Sequence, residues 1–424
     1  MPSDQATLSR PGEPQSPHPQ PATHPPEALR ELLARADVQI NGSRPWDMQV
    51  NNPRAYQRIL TQWSLGAGEA YVDGDWDCER LDMMFERLLR AELDRTAPGP
   101  AKVKLLMESL RQRVFNLQTA ERAHQVGERH YDAGNDVFEA MLDSRMIYSC
   151  AYWDHAQTLE QAQVDKLEMI CRKLELRPGQ TLLDIGCGWG GLARFAAEYF
   201  GVRVTGITIS KEQLAVAEER CRGLPVKLML QDYRSLEPPG GRRFDKIVSV
   251  GMFEHVGPKN YATYFDTARR LLAPDGLFLL HTIGVDRAAP HTDPWIERYI
   301  FPNGKLPSPT ELAGAVEGRF VIEDWHNFGP DYDRTLMAWA QRFEAAWPRL
   351  SLARPPEEAQ LPPGATARSA QGAPVTRRYD EGFRRMFRYY LLSCAGFFRS
   401  RQGQLWQLVL TGPERRGGYR SFRP

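Results

Sequence analysis

The sequence predicts an α/β protein built on a doubly wound, mostly parallel sheet, preceded by a small, mainly helical domain. Three observations carry this reading. Short apolar runs alternate with segments of helical spacing from residue 181 onward, the pattern that a parallel sheet with crossover helices requires. The run over 277–283 is almost continuously apolar, as expected of a strand covered on both faces. The first apolar run passes directly into Asp184-Ile185-Gly186-Cys187-Gly188-Trp189-Gly190-Gly191, a glycine loop that opens a helix.

Taken in order, residues 1–26 are rich in proline among small polar residues, with too little apolar matter to fold upon, and should be disordered. A helix is expected over 27–36, and a compact, mainly helical domain over 27–93 holding Trp63, Tyr71, Trp76, Met83, Met84 and Phe85, with Gly66, Gly68 and Gly74 marking turns. A proline-containing linker (94–101) and an amphipathic helix (103–117) form a connecting segment over 94–120. The main domain, 121–412, should carry strands over 181–185, 203–209, 226–230, 244–250 and 277–283, and helices over 192–199, 211–220 and 261–272. Residues 351–376, rich in Pro, Ala, Gly and Gln, read as a flexible insertion; a helix over 378–400, a strand over 404–410 and a basic, glycine-rich tail over 413–424 complete the chain.

Composition narrows the function classes. The 424 residues are long enough for two domains, or for one large domain with an extension, and their 25% charged and 42% hydrophobic content fits a globular protein. No run of about 18 apolar residues occurs, so no membrane span is expected. The N-terminus lacks an apolar core behind a basic segment, which makes the cytoplasm the default location. The six cysteines form no CxxC pair and lie near no histidine at ligand spacing, so reduced thiols and no metal are expected. A net charge of +1 gives no general attraction to nucleic acid. The basic stretch from Arg377 to Arg388 could touch a membrane surface or be a solvated helix face.

The glycine loop points to a nucleotide-like ligand, because glycines let backbone approach a ligand closely and the helix behind them offers unpaired N–H groups. Asp184 would repel a pyrophosphate but can hold a cationic amino group, such as the one on S-adenosylmethionine. A dinucleotide site should carry an acid at the end of the second strand, where this chain has Thr208-Ile209-Ser210-Lys211-Glu212-Gln213. Gln213 could bond a ribose instead, or be an exposed helix residue. Gln231-Asp232-Tyr233 follows the third strand, where the Tyr233 ring could stack on an adenine or belong to the core.

Six segments, in order, closely resemble the cyclopropane-fatty-acyl-phospholipid synthases and the related mycolic acid cyclopropane synthases and methyltransferases. They are Glu128 to Asp136 (ERHYDAGND), Tyr148 to Trp153 (YSCAYW), Asp184 to Gly191 (DIGCGWGG), Gly251 to Gly257 (GMFEHVG), Tyr299 to Gly304 (YIFPNG) and Trp325 to Gly329 (WHNFG). The similarity runs from about residue 30 to 410 and includes the N-terminal domain. It implies a class I methyltransferase fold that uses S-adenosylmethionine. The cofactor would be held by Tyr148, Ser149, Asp184, Gly186, Cys187, Gly188, Gly190, Gly191, Thr208, Ile209, Ser210, Gln213, Gln231, Asp232 and Tyr233. The partner implied is an unsaturated phospholipid in a membrane surface, met from the cytoplasmic side by a homodimer joined through the N-terminal domain.

The reaction implied is methyl transfer to a cis double bond, followed by loss of a proton from the added methyl and closure of a three-membered ring. An alkene has no proton to remove before attack, so positioning must supply much of the barrier reduction, up to roughly 7 to 11 kcal/mol. The resemblance implies that the later base is a bound bicarbonate, gripped by Glu254, His281 and Tyr332 and by the main chain around Cys150 and Ile283. Tyr332 lies in Gly329-Pro330-Asp331-Tyr332-Asp333, a turn signal that could form a lid. Tyr148, Tyr152, Trp153, Phe253 and Tyr299 could face the developing cation, or line the core or a lipid channel. Cys394 matches a cysteine once favoured as catalytic in the family, yet alkene methylation needs no covalent enzyme intermediate, and a thiol in this apolar run would be neutral packing. The alternatives are methylation of another lipid to give a branched product, and a non-catalytic lipid-binding relative.

Overall fold

The computed structural model describes residues 24–93, 134–289, 291–351 and 379–423. The expectations for 94–120, for the segment 128–133, for most of the 1–26 tail and for nearly all of the 351–376 insertion lie outside the described residues.

The N-terminal unit contains α1 (Glu27–Ala34), β1 (Gln49–Val50), α2 (Arg54–Val72), β2 (Trp76–Asp77) and α3 (Leu81–Arg90). After it come α4 (Asn135–Met141), α5 (Leu159–Lys173), β3 (Thr181–Ile185), α6 (Gly191–Phe200), β4 (Arg203–Thr208), α7 (Lys211–Arg220), β5 (Val226–Leu230) and β6 (Phe244–Val250). The chain continues through α8 (Tyr261–Leu271), β7 (Leu272–Val285), α9 (Pro294–Tyr299), α10 (Pro309–Val316), β8 (Val321–Asn327), α11 (Pro330–Leu350), α12 (Glu381–Arg399) and β9 (Gly403–Thr411). Side-chain caps start several helices where the sequence offers them: Thr158 on α5, Ser210 on α7, Asp380 on α12, and a reciprocal Ser308/Glu311 box on α10.

The seven-stranded sheet runs β5-β4-β3-β6-β7-β9-β8, parallel from β5 to β7 and antiparallel across β9 and β8. The order reverses at β3 and β6, so the crevice beyond their carboxyl ends is the topological switch point where a ligand binds. The parallel, doubly wound expectation holds for the first five strands in that order. β8 went unforeseen because it is the edge strand: its outer residues Val321 and Ile322 are exposed, and its sequence lacks the apolar run of a buried strand.

Two other expectations are corrected. Gly66 and Gly68 do not mark turns; both lie inside α2, after a sharp kink at Trp63, where φ is 55°. Gly68 is there for close approach, since a Cβ would sit 2.3 Å from the Trp295 ring of α9. Tyr332 is not in a lid loop but in the first turn of α11, because Pro330 occupies the first helical position, where its missing N–H costs nothing.

One continuous apolar core runs from Leu29 and Tyr71 through Trp295, Trp339 and Tyr389 to Leu405, joining the N-terminal helices to α11 and α12. Tyr389 of α12 sits among Tyr71, Phe85, Trp76 and Trp295. Arg399 ties the join electrostatically by reaching the buried Asp82 of α3 at 2.6 Å and Asp333 of α11 at 2.7 Å. No described helix is long and apolar enough to cross a membrane.

Candidate active site

A cavity of about 1660 Å³ opens beyond the carboxyl ends of β3, β4, β6 and β7 and extends between the N-terminal helices and α12. One end is built from the glycine loop. Gly186 and Gly188 hold φ of 85° and 53°. A Cβ on Gly188 would meet nothing within 4 Å, so its backbone borders open space, whereas a Cβ on Gly186 would press on Met252 at 2.9 Å. Cys187 and Gly191 also line the cavity. Gly190 does not; it is a packing glycine, with Ala217 and Cys221 of the α7 region 3.1 Å from where a Cβ would stand.

Asp184, at the end of β3, is 1% exposed, and its Oδ2 has no hydrogen-bond partner among the described residues. Desolvation pushes its carboxyl up to about 7, partly opposed by the nearby Lys166 ammonium. An orphaned buried acceptor facing a cavity fits the amino group of S-adenosylmethionine. Ser149 accepts a 2.9 Å bond from the buried Lys166 Nζ, and the Tyr148 hydroxyl lies 2.7 Å from that of Tyr390. Thr208 donates to Gln213 Oε1 at 3.0 Å, which holds the Gln213 amide at the cavity wall, while Ser210 accepts from the Gln213 N–H at 3.2 Å. Gln213 is therefore a buried wall residue rather than a surface one. Ile209, Gln231, Asp232 and Tyr233 line the same end. The Asp232 carboxylate is engaged by Arg234, and the Tyr233 ring packs edge-on against Tyr264.

At the other end, Glu254 in a one-turn helix after β6 and His281 on β7 both face the cavity. Glu254 Oε1 accepts a 2.7 Å bond from the Ile283 N–H, so that N–H is committed to the protein, while Oε2 has no partner among the described residues. Burial raises the Glu254 carboxyl to about 7. His281 Nδ1 lies 3.2 Å from Gln407 Nε2, and its Nε2 has no partner among the described residues. Burial holds the ring well below its usual range, and the charges of Lys166 and Lys173 add to the effect.

Ile283, Tyr332 and Cys394 line the cavity as well. Cys150 does not: its thiol turns to the Ala151 carbonyl at 3.1 Å. Burial pushes the Cys394 thiol up to about 12, so it is neutral packing at the cavity wall. Of the aromatic candidates only Tyr148 lines the cavity. Phe253 stacks on Tyr261 in a separate core, Tyr152 and Trp153 pack outside, and Tyr299 is surface-exposed with its hydroxyl on Glu69. Tyr152 and Trp153 lie in the irregular segment before α5, Phe253 in a one-turn helix and Tyr299 at the end of α9, places where the sequence pattern does not reveal which way a ring turns.

Sequence reasoning missed Lys166, Lys173 and Gln407. The signal was present for two of them: Leu159, Ala162, Gln163, Lys166, Ile170 and Lys173 recur at helical spacing, so both lysines fall on the buried face of α5. A lysine is almost never fully buried without partners.

The parallel sheet with an antiparallel end, the glycine loop at the switch point and the orphaned acid beside it define the class I fold of S-adenosylmethionine-dependent methyltransferases. The model of the mycolic acid cyclopropane synthetase family matches residues 118–359, and the chain belongs to that family. It is 53% identical over 381 residues to the cyclopropane-fatty-acyl-phospholipid synthase of Escherichia coli, covering 90% of this chain and 92% of that one. Among solved structures it resembles the cyclopropane synthase MmaA2 of Mycobacterium tuberculosis, with 28% identity, a TM-score of 0.58, and coverage of 70% of this chain and 99% of that one. It also resembles the mycolic acid cyclopropane synthase CmaA1 complexed with SAH and CTAB, with 29% identity, a TM-score of 0.57 and coverage of 68% and 97%.

Proposed function

We propose that this protein moves a methyl group from S-adenosylmethionine to a cis double bond of an unsaturated phospholipid acyl chain and closes the product to a cyclopropane. The observation that carries this reading is the pairing, in one cavity, of an S-adenosylmethionine-type loop with two buried polar groups, Glu254 Oε2 and His281 Nε2, that have no protein partner. A methyltransferase acting on a lone pair takes its proton from the acceptor heteroatom and never from the added methyl, so it needs no base placed for the transferred carbon.

S-adenosylmethionine supplies an electrophilic methyl on a sulfonium. Asp184 would receive its amino group, the Gly186 to Gly188 backbone would pass closely along it, and Gln213 would meet the ribose. Leu33, Ile59, Trp63, Phe85, Leu88 and Phe397 give the remainder of the cavity an apolar wall that suits an acyl chain and excludes water. Water exclusion matters because a cation formed beside water would be trapped as an alcohol. The proton then lost from the added methyl needs a base in this dry place.

We assign that task to a bicarbonate ion held by Glu254, His281 and Tyr332. Two bare anions repel, so the contact requires one shared proton; the Glu254 carboxyl, raised to about 7, carries one in much of the neutral population. His281 would donate its Nε2–H. Because the Ile283 N–H is taken by Glu254, that residue's contribution is to orient the carboxyl.

The protein would work at the cytoplasmic face of a membrane, as a dimer joined through its N-terminal unit; flotation with vesicles and sedimentation velocity test these two points. Incubation with labelled S-adenosylmethionine and vesicles of mono-unsaturated phospholipid should yield cyclopropane acyl chains. Methyl-branched or hydroxylated chains alone would sink the ring-closing claim.

A further inference from the structure

Three neighbouring strands place one polar residue each in a single row: His281 on β7 pairs with Gln407 on β9, which pairs with His326 on β8. Residues directly opposite in antiparallel pairs share a face of the sheet. The row is capped on that face by Lys173, the last residue of α5, which is fully buried. Its Nζ lies 2.9 Å from Gln407 Oε1, 3.0 Å from His326 Nδ1 and 3.8 Å from Asp324 Oδ2. Two acceptors within hydrogen-bond distance and a carboxylate at ion-pair distance suit an ammonium, and the helix C-terminus favours a cation there.

This arrangement has a directional consequence. Burial draws Lys173 down to about 7 against the pull of the Asp324 carboxylate; in its charged form it has no acceptor, so it selects the oxygen of the Gln407 amide and turns the amide nitrogen toward His281. Reversing the amide would set two donors against each other in a buried place, which costs the desolvation of both. The amide nitrogen has only hydrogens to offer, so His281 Nδ1 must accept, and the proton of the neutral ring must stand on Nε2. That nitrogen has no protein partner and belongs to the cavity-lining ring.

We propose that Lys173 and Gln407 are positioning residues that lock His281 as its Nε2–H tautomer, so that the ring presents a hydrogen-bond donor to the reaction cavity. The use made of that donor rests on the proposed function; the tautomer does not. Lys173 acts at two removes from the cavity and touches no substrate. His326 completes the acceptor set around it, which gives the Trp325 to Gly329 segment a role in the site without lining it.

The test is the tautomer of His281 in the full-length protein labelled with 15N-histidine, assigned by the resonance lost in His281→Asn. Long-range proton–nitrogen correlations should show a bare Nδ1 and a protonated Nε2 in the wild type. Gln407→Glu keeps an oxygen for Lys173 but turns a second oxygen toward His281, so the proton should move to Nδ1. In this variant kcat should fall by roughly 10- to 100-fold, the cost usual for losing an outer partner that orients a histidine. The Kd for S-adenosylmethionine, measured by titration calorimetry, should stay within about twofold, a split that general loss of structure would not produce. A wild-type ring protonated on Nδ1 would overturn the proposal without reference to any variant. So would an Nε2–H tautomer that persists in a Gln407→Glu protein still able to bind S-adenosylmethionine. A swapped tautomer with unchanged kcat would uphold the lock and remove His281 from the proposed chemistry, so the two failures are told apart.

Discussion

Glu254 is expected to be a residue whose conservative replacement inactivates the protein while stabilising it above neutral pH. Its carboxyl is buried, donates or accepts nothing through Oε2, and is raised from 4.5 to about 7 by desolvation. Between these two values the folded protein still holds a proton that the unfolded chain has released. Stability therefore falls as pH rises through this window, is fully present below about 4.5, and is lost above about 7. The interval corresponds to roughly 3 kcal/mol. In Glu254→Gln the amide oxygen can still accept from the Ile283 N–H, and nothing ionises. The stability difference between variant and wild type should thus shift in the variant's favour by roughly 3 kcal/mol between pH 4.5 and pH 8, seen as a relative gain of roughly 5 °C in thermal midpoint. Turnover should fall by about 10² to 10⁴, the range lost with general acid–base assistance. Scanning calorimetry of both proteins at the two pH values, with turnover on vesicles, measures both effects. An offset in midpoint that does not change with pH would refute the burial argument; unchanged turnover with excess bicarbonate would remove Glu254 from the mechanism.

Asp184→Asn should weaken S-adenosylmethionine binding by roughly 10- to 100-fold in titration calorimetry, since a charge-assisted bond of about 1.5 to 3 kcal/mol becomes a neutral one. Gly188→Ala should fold with little penalty beyond about 1 to 2 kcal/mol of left-handed strain, because a Cβ there meets nothing among the described residues, yet lose affinity for S-adenosylmethionine on the proposed placement of that cofactor. Gly68→Ala should destabilise by about 1 to 3 kcal/mol in denaturant titration, the cost of driving a methyl into the Trp295 ring. Cys394→Ala should keep turnover within a few-fold, because its thiol is held neutral; a loss of 10²-fold or more would restore a chemical role.

The legible parts of this chain were those where one local rule decides the outcome. The strand at Thr181–Ile185, the α7 helix at Lys211–Arg220 and the strands at Val226–Leu230 and Phe244–Val250 appear with the bounds that their periodicity gave. Gly66 and Gly68 misled because glycine has two uses, positive φ and close approach, and only a contact with Trp295, far along the chain, distinguishes them. Tyr332 misled because Gly-Pro-Asp both breaks a chain and begins a helix. Glu254 and His281 were found through family resemblance, since a carboxylate after one strand and a histidine inside another share no local pattern. Gln407 escaped for a different reason: its alignment with His281 and His326 exists only in the register of β7, β9 and β8, a non-local fact.

That register also bears on why the site tolerates its cost. Asp184 Oδ2, Glu254 Oε2 and His281 Nε2 are buried side-chain atoms without protein partners, and all three residues line one cavity. Each unsatisfied polar atom costs about 1 to 3 kcal/mol, so leaving three together consumes stability on the scale of a domain's whole margin. A fold could satisfy them by moving a single hydroxyl or amide into place, as Thr208 does for Gln213 and Gln407 does for the other nitrogen of His281. Here several neighbouring groups are engaged elsewhere: the Ile283 N–H with Glu254 Oε1, Lys166 with Ser149, Lys173 with Gln407. The second partners of each group are thereby fixed while the first remain open, which is the arrangement that holds a site rigid for polar ligands it has still to receive. By this argument, filling the cavity with a ligand that bonds these atoms should stabilise the fold well beyond its apolar contact, and Asp184 and Glu254 are the residues whose loss should diminish that gain.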